Sequence, residues 1–306
     1  MKNNTILLSL MLSATMACSQ NKPAISAQPS KEDKVYTGDV KLYTQKDITD
    51  FGNKQYTFIN GDLNIESKSA TDYSAEVLDT KPLAGIRVIN GGLLITRLMN
   101  LTSLDGLQNL ERVYGDFTIS GCWLTKVAGF DKLSLIKGDL TISNNTAKYG
   151  ENGLADITGF HQLKVVNNIH IHGNTALKKL DAFNAVEQTN TIQIMNTNLE
   201  EISNFKQLKT IKGNFSVEYS PALTKITLDK LELVDGFFAL NENNTINGNI
   251  YLPRLKKIKM LYFMSNKNFN NYCGFADALR QQKIESISAE GNKSNPDREA
   301  ILRTCK

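Results

Sequence analysis

The chain has 306 residues, 41% of them hydrophobic, and its 35 Lys and Arg against 31 Asp and Glu leave a formal net charge of +4. That length and apolar content suit one large domain or two ordinary ones, and the scattered basic residues exclude the concentrated basic stripe of a nucleic-acid protein. Six Pro, 20 Gly and 8% aromatics argue against a collagenous or disordered chain, while three His and four Cys leave little material for a multi-ligand metal site.

Residues 1–17 carry one early lysine, a short apolar run from Ile6 to Met16, and the small residue Ala17 immediately before Cys18. Those are the parts of a secretory signal, and the run is about half the 20 residues a membrane span needs. With a cysteine directly after Ala17 the segment resembles a bacterial lipoprotein signal. The resemblance implies cleavage before Cys18 and lipidation of that residue, so the membrane is reached through an N-terminal lipid only. Residues 18–34, with two prolines, small polar side chains and mixed charge, cannot bury enough apolar surface to fold, and read as a flexible tether.

From residue 35 onward one phrase recurs: Gly38-Asp39-Val40-Lys41-Leu42, Gly61-Asp62-Leu63-Asn64-Ile65, Gly115-Asp116-Phe117-Thr118-Ile119 and Gly138-Asp139-Leu140-Thr141-Ile142 among others. Its first apolar residues fall at 40, 63, 93, 117, 140, 169, 192, 215, 238 and 262, a period of about 23 residues that two coils exceed. Such a period means a solenoid whose coils each bury a face only by stacking. The apolar-x-apolar core of the phrase has the two-residue period of a half-buried strand, so stacked copies form one parallel sheet. Residues 45–52 read as a short helix early in the domain. A second apolar series, such as Leu154, Ile157, Phe160 and Leu163, suits turns and short extended pieces that close each coil. Asn145, Asn174, Asn243 and, in one coil, Cys122 stand three residues past the second apolar position, where a small polar side chain can satisfy backbone groups inside a bend. Cys122 is therefore read as structural.

These coils resemble the receptor L domain, a leucine-rich, β-helix-like module, and in particular its lipoprotein versions of Bacteroidetes type. The opening Thr37-Gly38-Asp39-Val40 and the ending Asn271-Tyr272-Cys273-Gly274-Phe275, Gly291-Asn292-Lys293-Ser294-Asn295-Pro296 and Cys305 carry the likeness. The resemblance implies a right-handed parallel β-solenoid of about ten coils over residues 35–306, with small helical caps. It implies a ligand-binding module and carries over no catalytic residue. The C-terminal cap, about 268–306, is expected to hold one helix over 275–282 and another started by Asn295-Pro296, with Asn as cap and Pro in the first turn. Cys273 and Cys305 flank this unit in an exported chain and are expected to pair.

With the apolar residues inward, the first outward column reads Lys41, Asn64, Leu94, Thr118, Thr141, His170, Gln193, Ser216, Ala239 and Phe263. The second runs from Tyr43 and Glu66 through Ser143, His172, Met195 and Glu218 to Asn241 and Ser265. A polysaccharide-active enzyme on such a scaffold needs converging carboxylates. Only Glu66 and Glu218 appear, six coils apart, so the chain reads as a non-enzyme with no cofactor and no metal. His170 and His172 share one strand face, but Thr141, Ser143, Gln193 and Met195 beside them are poor partners for zinc.

The two long coils insert residues at one register, Ser67–Pro82 with Tyr73 and Asn144–Asp156 with Tyr149, where edge loops carry binding. The candidate binding surface is thus Tyr73, Thr141, Ser143, Tyr149, His170, His172, Gln193 and Glu218. The expected function is a lipid-anchored envelope binding or adhesion protein, at the outer membrane, for a protein or glycan ligand and not for nucleic acid. A structural envelope protein is the alternative, and a β-helix enzyme a distant third.

Overall fold

A computed structural model describes residues 27–68, 77–146, 153–281 and 283–305; Cys18, Tyr73 and Tyr149 lie outside the described residues. The repeated phrase forms the rungs of one parallel sheet: β1 (Val40–Leu42), β2 (Leu63–Glu66), β3 (Leu93–Thr96), β4 (Phe117–Ser120), β5 (Leu140–Ser143), β6 (Asn168–His172), β7 (Thr191–Met195), β8 (Phe215–Glu218), β9 (Leu233–Asn241), β10 (Lys257–Met264) and β11 (Ile284–Glu290). Each rung pairs in parallel with the next, from Val40 beside Leu63 to Leu261 beside Ile287. Shorter parallel strips, such as Val35–Thr37 with Phe58–Asn60 and Asp156–Gly159 with Lys179–Ala182, close the other sides of the coils. The chain is a parallel β-solenoid, as the repeat predicts.

Two details of the count differ. Leu261, not Tyr262, pairs with Phe238, so Tyr262 takes the outward place and Phe263 is buried. A strand alternates faces at every residue, so counting the tenth copy from Tyr262 inverted its faces. An eleventh rung, β11, comes from the segment expected to be cap alone. It escaped the motif because Ile287-Ser288-Ala289 lacks the preceding Gly-Asp and places a small alanine at the second inward position.

Packing explains why the rungs stay in register. The inward side chains of β1 to β10 are buried, contributing roughly 1.5–3 kcal/mol per side chain removed from water. Along the opposite side of the core, Phe130, Phe160, Phe183 and Phe205 stack with ring centroids 4.9, 5.6 and 5.5 Å apart. At the corner after each rung, buried asparagines form a ladder. Asn145 Oδ1 accepts from Cys122 N at 3.0 Å and Asn174 Oδ1 from Asn145 N at 3.0 Å, while Asn174 Nδ2 donates to Ile142 O at 2.9 Å. The ladder resumes through Asn243, Asn266 and Asn292 and ends on Asn295, whose Oδ1 accepts from Asn292 N at 3.0 Å. Between the two runs, the hydroxyls of Thr197 and Ser220 bond each other at 3.0 Å.

A second ladder runs along the start of the rungs. Asp39 Oδ1 accepts from Asp62 N at 2.9 Å, Asp62 Oδ1 from Gly92 N at 2.8 Å, and Asp116 Oδ1 from Asp139 N at 2.8 Å. The glycine of the phrase is there for closeness. A Cβ on Gly138 would sit 2.1 Å from Asp116 Oδ1 and 2.7 Å from the Gly115 carbonyl carbon. The Gly-Asp pair is thus one device, since the glycine lets the coils approach and the aspartate ties them.

The ends are covered as expected, with changes in detail. Helix α1 (Gln45–Gly52) opens on a reciprocal cap, Thr44 accepting from Asp47 N and Asp47 from Thr44 N. The stretch 27–34, read from sequence as free tether, is docked. Ala27 N donates to Asn90 Oδ1 at 2.7 Å, and Asp33 Oδ1 receives Arg87 Nη2 at 2.7 Å and the Thr57 hydroxyl at 2.8 Å. At the other end lie a short 3-10 turn (Cys273–Phe275), α2 (Ala276–Arg280) and α3 (Arg298–Thr304), with a Cys273–Cys305 disulfide. The last helix begins later than Asn295-Pro296: Asp297 caps it, accepting from Ala300 N at 2.8 Å, because Asn295 is engaged in finishing the ladder.

Candidate ligand-binding face

The outward face of β1–β11 is a lattice whose rows follow the pair register. Thr141 lies between Thr118 and His170, then come Gln193, Ser216 and Ala239. In the second column Ser120, Ser143, His172, Met195, Glu218 and Asn241 follow one another. Neighbouring rungs stand about 4.8 Å apart, so this is a flat, closely spaced array. Of the candidate residues, Thr141, His170, His172, Gln193 and Glu218 are half-buried on this face, brought together by four consecutive rungs.

Ser143 is a correction. It is 4% exposed, and its hydroxyl donates to Ser120 Oγ at 2.9 Å. It sits at the end of its rung, beside the corner where Asn144 takes φ +53°, and serves the coil junction. Ser216 and Ala239 are buried too, so the polar array is shallower toward β8 and β9 than alternation alone predicts. The stems of the long coils are fixed: Leu154 N donates to Asn145 O at 2.9 Å, and Gln45 Oε1 accepts from Leu78 N and Asp79 N at 2.9 and 3.1 Å.

The second-column glutamates of β2 and β8 are engaged singly. Glu66 pairs with Arg97 at 3.0 Å, and Glu218 Oε1 accepts from the Ser216 hydroxyl at 2.5 Å. Six register steps separate them, about 29 Å. Among the described residues no cluster of three or more His, Cys, Asp or Glu could hold a metal. Burial pushes the Cys122 thiol up to about 12, as its structural reading requires. His161 is occupied, with Nδ1 3.0 Å from Asn184 Nδ2 and Nε2 3.8 Å from Asp131. His172 behaves differently: burial first, then the nearby His170, lower its pKa and favour the neutral ring.

Two surface features were not read from the sequence. Tyr219, 51% exposed, takes φ +51° at the corner where Gly121, Gly173 and Gly291 stand in other coils. An aromatic in that backbone region is strained, and only the alignment of corners across coils could have singled it out. A hollow of about 550 Å³ lined by Asn247, Asn249, Tyr251, Asn270 and Asn271 opens beside the C-terminal cap. Its signal was the local density of asparagines.

With this geometry in place, the likenesses are informative. The Receptor L domain family model matches residues 57–128, the coils of β2, β3 and β4. Over 230 residues, 71% of this chain, the sequence is 28% identical to the sporulation-specific protein 22 of Saccharomyces cerevisiae. The chain spans less than half of that relative, 43% of its length. The chain is thus a parallel β-solenoid whose coils from β2 to β4 are similar to the Receptor L domain.

Proposed function

We propose that the protein is a non-enzymatic, lipid-anchored binding or adhesion protein of the bacterial envelope, which recognises a protein or glycan on the outward face of its rungs and the adjoining edge loops. One observation carries this reading. From β4 to β7 the face presents in-register, half-buried polar side chains, Thr118, Thr141, His170 and Gln193, on a regular sheet, and the neighbouring carboxylates Asp116 and Asp139 at the rung starts are tied into hydrogen bonds between the coils. Fixed hydrogen-bonding groups at regular spacing suit recognition, because little ordering entropy is lost on binding. The match to the Receptor L domain family agrees with a ligand-binding role. The signal-like segment ending at Ala17-Cys18 supports the lipid anchor.

The test begins with display. Protease shaving of intact cells is expected to cut the protein, and protection until lysis would instead favour the structural envelope protein. The purified chain is then screened against glycan and protein arrays. Capture should be lost in Thr141→Arg/Gln193→Arg, which places two bulky charges at the centre of the face, and shortening of both long coils should reduce it without unfolding the domain. Turnover of a polysaccharide would overturn the reading.

A further inference from the structure

We infer that His170, His172 and Met195 form a binding site for copper(I) on the outward face of β6 and β7. The two histidines occupy alternate positions of one rung, so their rings leave the same face about 6.6 Å apart at the backbone. The pair register sets Met195 directly beside His172, one inter-strand spacing away, about 4.8 Å. The three side chains therefore stand at the corners of a small triangle, each long enough to lean over its centre. Nothing else claims the imidazoles: neither makes a hydrogen bond among the described residues, whereas His161 is engaged by Asn184 and Asp131.

The donor set selects the ion. Two imidazole nitrogens and one thioether sulfur are neutral donors, the sulfur soft and the nitrogens borderline, and they lack the thiolate or carboxylate that a structural zinc site uses. Thioethers and imidazoles together suit copper(I), which accepts three ligands and gains little from the hard oxygens of Thr141 and Gln193 at the rim. A rigid strand pair holds all three groups, so binding orders little but the side chains themselves.

The experiment uses the full chain carrying Cys18→Ser, which removes a thiol that would also take copper. Copper(I) is titrated anaerobically against bicinchoninate, with ascorbate as reductant so that the disulfide is preserved. The expected result is one copper(I) per chain. His170→Asn and His172→Asn should each weaken it at least about a hundredfold, since loss even of groups that merely orient ligands costs 10–100-fold. Met195→Leu should weaken it less and remove the sulfur signal from the X-ray absorption fine structure. Thermal unfolding of the exposed-face variants checks that the fold is kept, and Met195→Leu serves alone if a histidine variant does not fold. Absence of stoichiometric copper(I), affinity indifferent to both histidines, or a sulfur signal that survives Met195→Leu would each overturn the site. Ligand capture by the rest of the face is measured separately with metal-free chain, so failure here leaves that reading standing.

Discussion

At the scale of single residues, the solenoid is held by small polar side chains that finish the backbone's hydrogen bonds. Asn243 Oδ1 accepts from Ser220 N at 2.9 Å and its Nδ2 donates to Val217 O at 2.8 Å, all inside the bend. Asn243→Ala strands both groups without water. Each orphaned buried group costs about 1–3 kcal/mol, so with two of them urea denaturation should show a loss of about 2–6 kcal/mol. A loss under about 1 kcal/mol would mean that water replaces the side chain. Asp33 gives a pH-dependent counterpart. Burial alone would raise its carboxyl, but hydrogen bonds from Arg87, Ser30 and Thr57 outweigh that and hold it well below the usual carboxylate range. The depressed group stabilises the fold fully above the unfolded aspartate value of about 4. That contribution fades as the pH falls toward the folded value, because the unfolded chain takes up the proton first. Asp33→Asn should cost about 2 kcal/mol at neutral pH and flatten the fall of the urea midpoint below about pH 5. Equal slopes in both proteins would remove Asp33 from the acid response.

At the scale of elements, what could be read from sequence was whatever repeats, and what could not was whatever a coil does once. Helix α1, the Asn corners and the rung positions recur or carry a local capping signal, so residue spacing reveals them. The tenth rung was misread by one place because Met260-Leu261-Tyr262-Phe263-Met264 is apolar throughout and offers no alternation to fix its phase. The onset of α3 was misplaced because Asn295 has two uses open to it, and the ladder takes it. The disulfide closes 32 residues of cap over the last rungs. Closing a loop of that size contributes about 3–4 kcal/mol in the chain-entropy view. Cys273→Ser/Cys305→Ser should therefore lower the unfolding midpoint and leave the edge of β11 less well covered. Hydrogen exchange would detect this as faster exchange over residues 257–290 with the early coils unchanged, and a uniform rise along the chain would show that the cap is not a local lock.

For the molecule as a whole, each coil touches mainly its neighbours, so stability is close to a sum of coil and interface terms. Fold and period were legible because ten coils repeat the same information. The binding face was legible only as a direction, since which outward residues are open depends on the corners and the loops beside them, as buried Ser143 and Ser216 demonstrate. The same one-dimensional logic makes the middle of the Phe stack the place where the two halves are coupled. Phe183 lies 5.6 Å from Phe160 on one side and 5.5 Å from Phe205 on the other, fully buried. Phe183→Ala removes a ring from that interface at about 3–5 kcal/mol while leaving each half its own rungs and cap. The single tryptophan, Trp123, sits in the N-terminal half, so its fluorescence follows that half while circular dichroism follows the entire sheet. In the parent protein the two signals should unfold together in urea. In Phe183→Ala they should separate, because an interface this weakened no longer makes the halves unfold as one. Coincident transitions in the variant would mean that coupling runs through the rung pairing and the corner ladders rather than through the stacked rings.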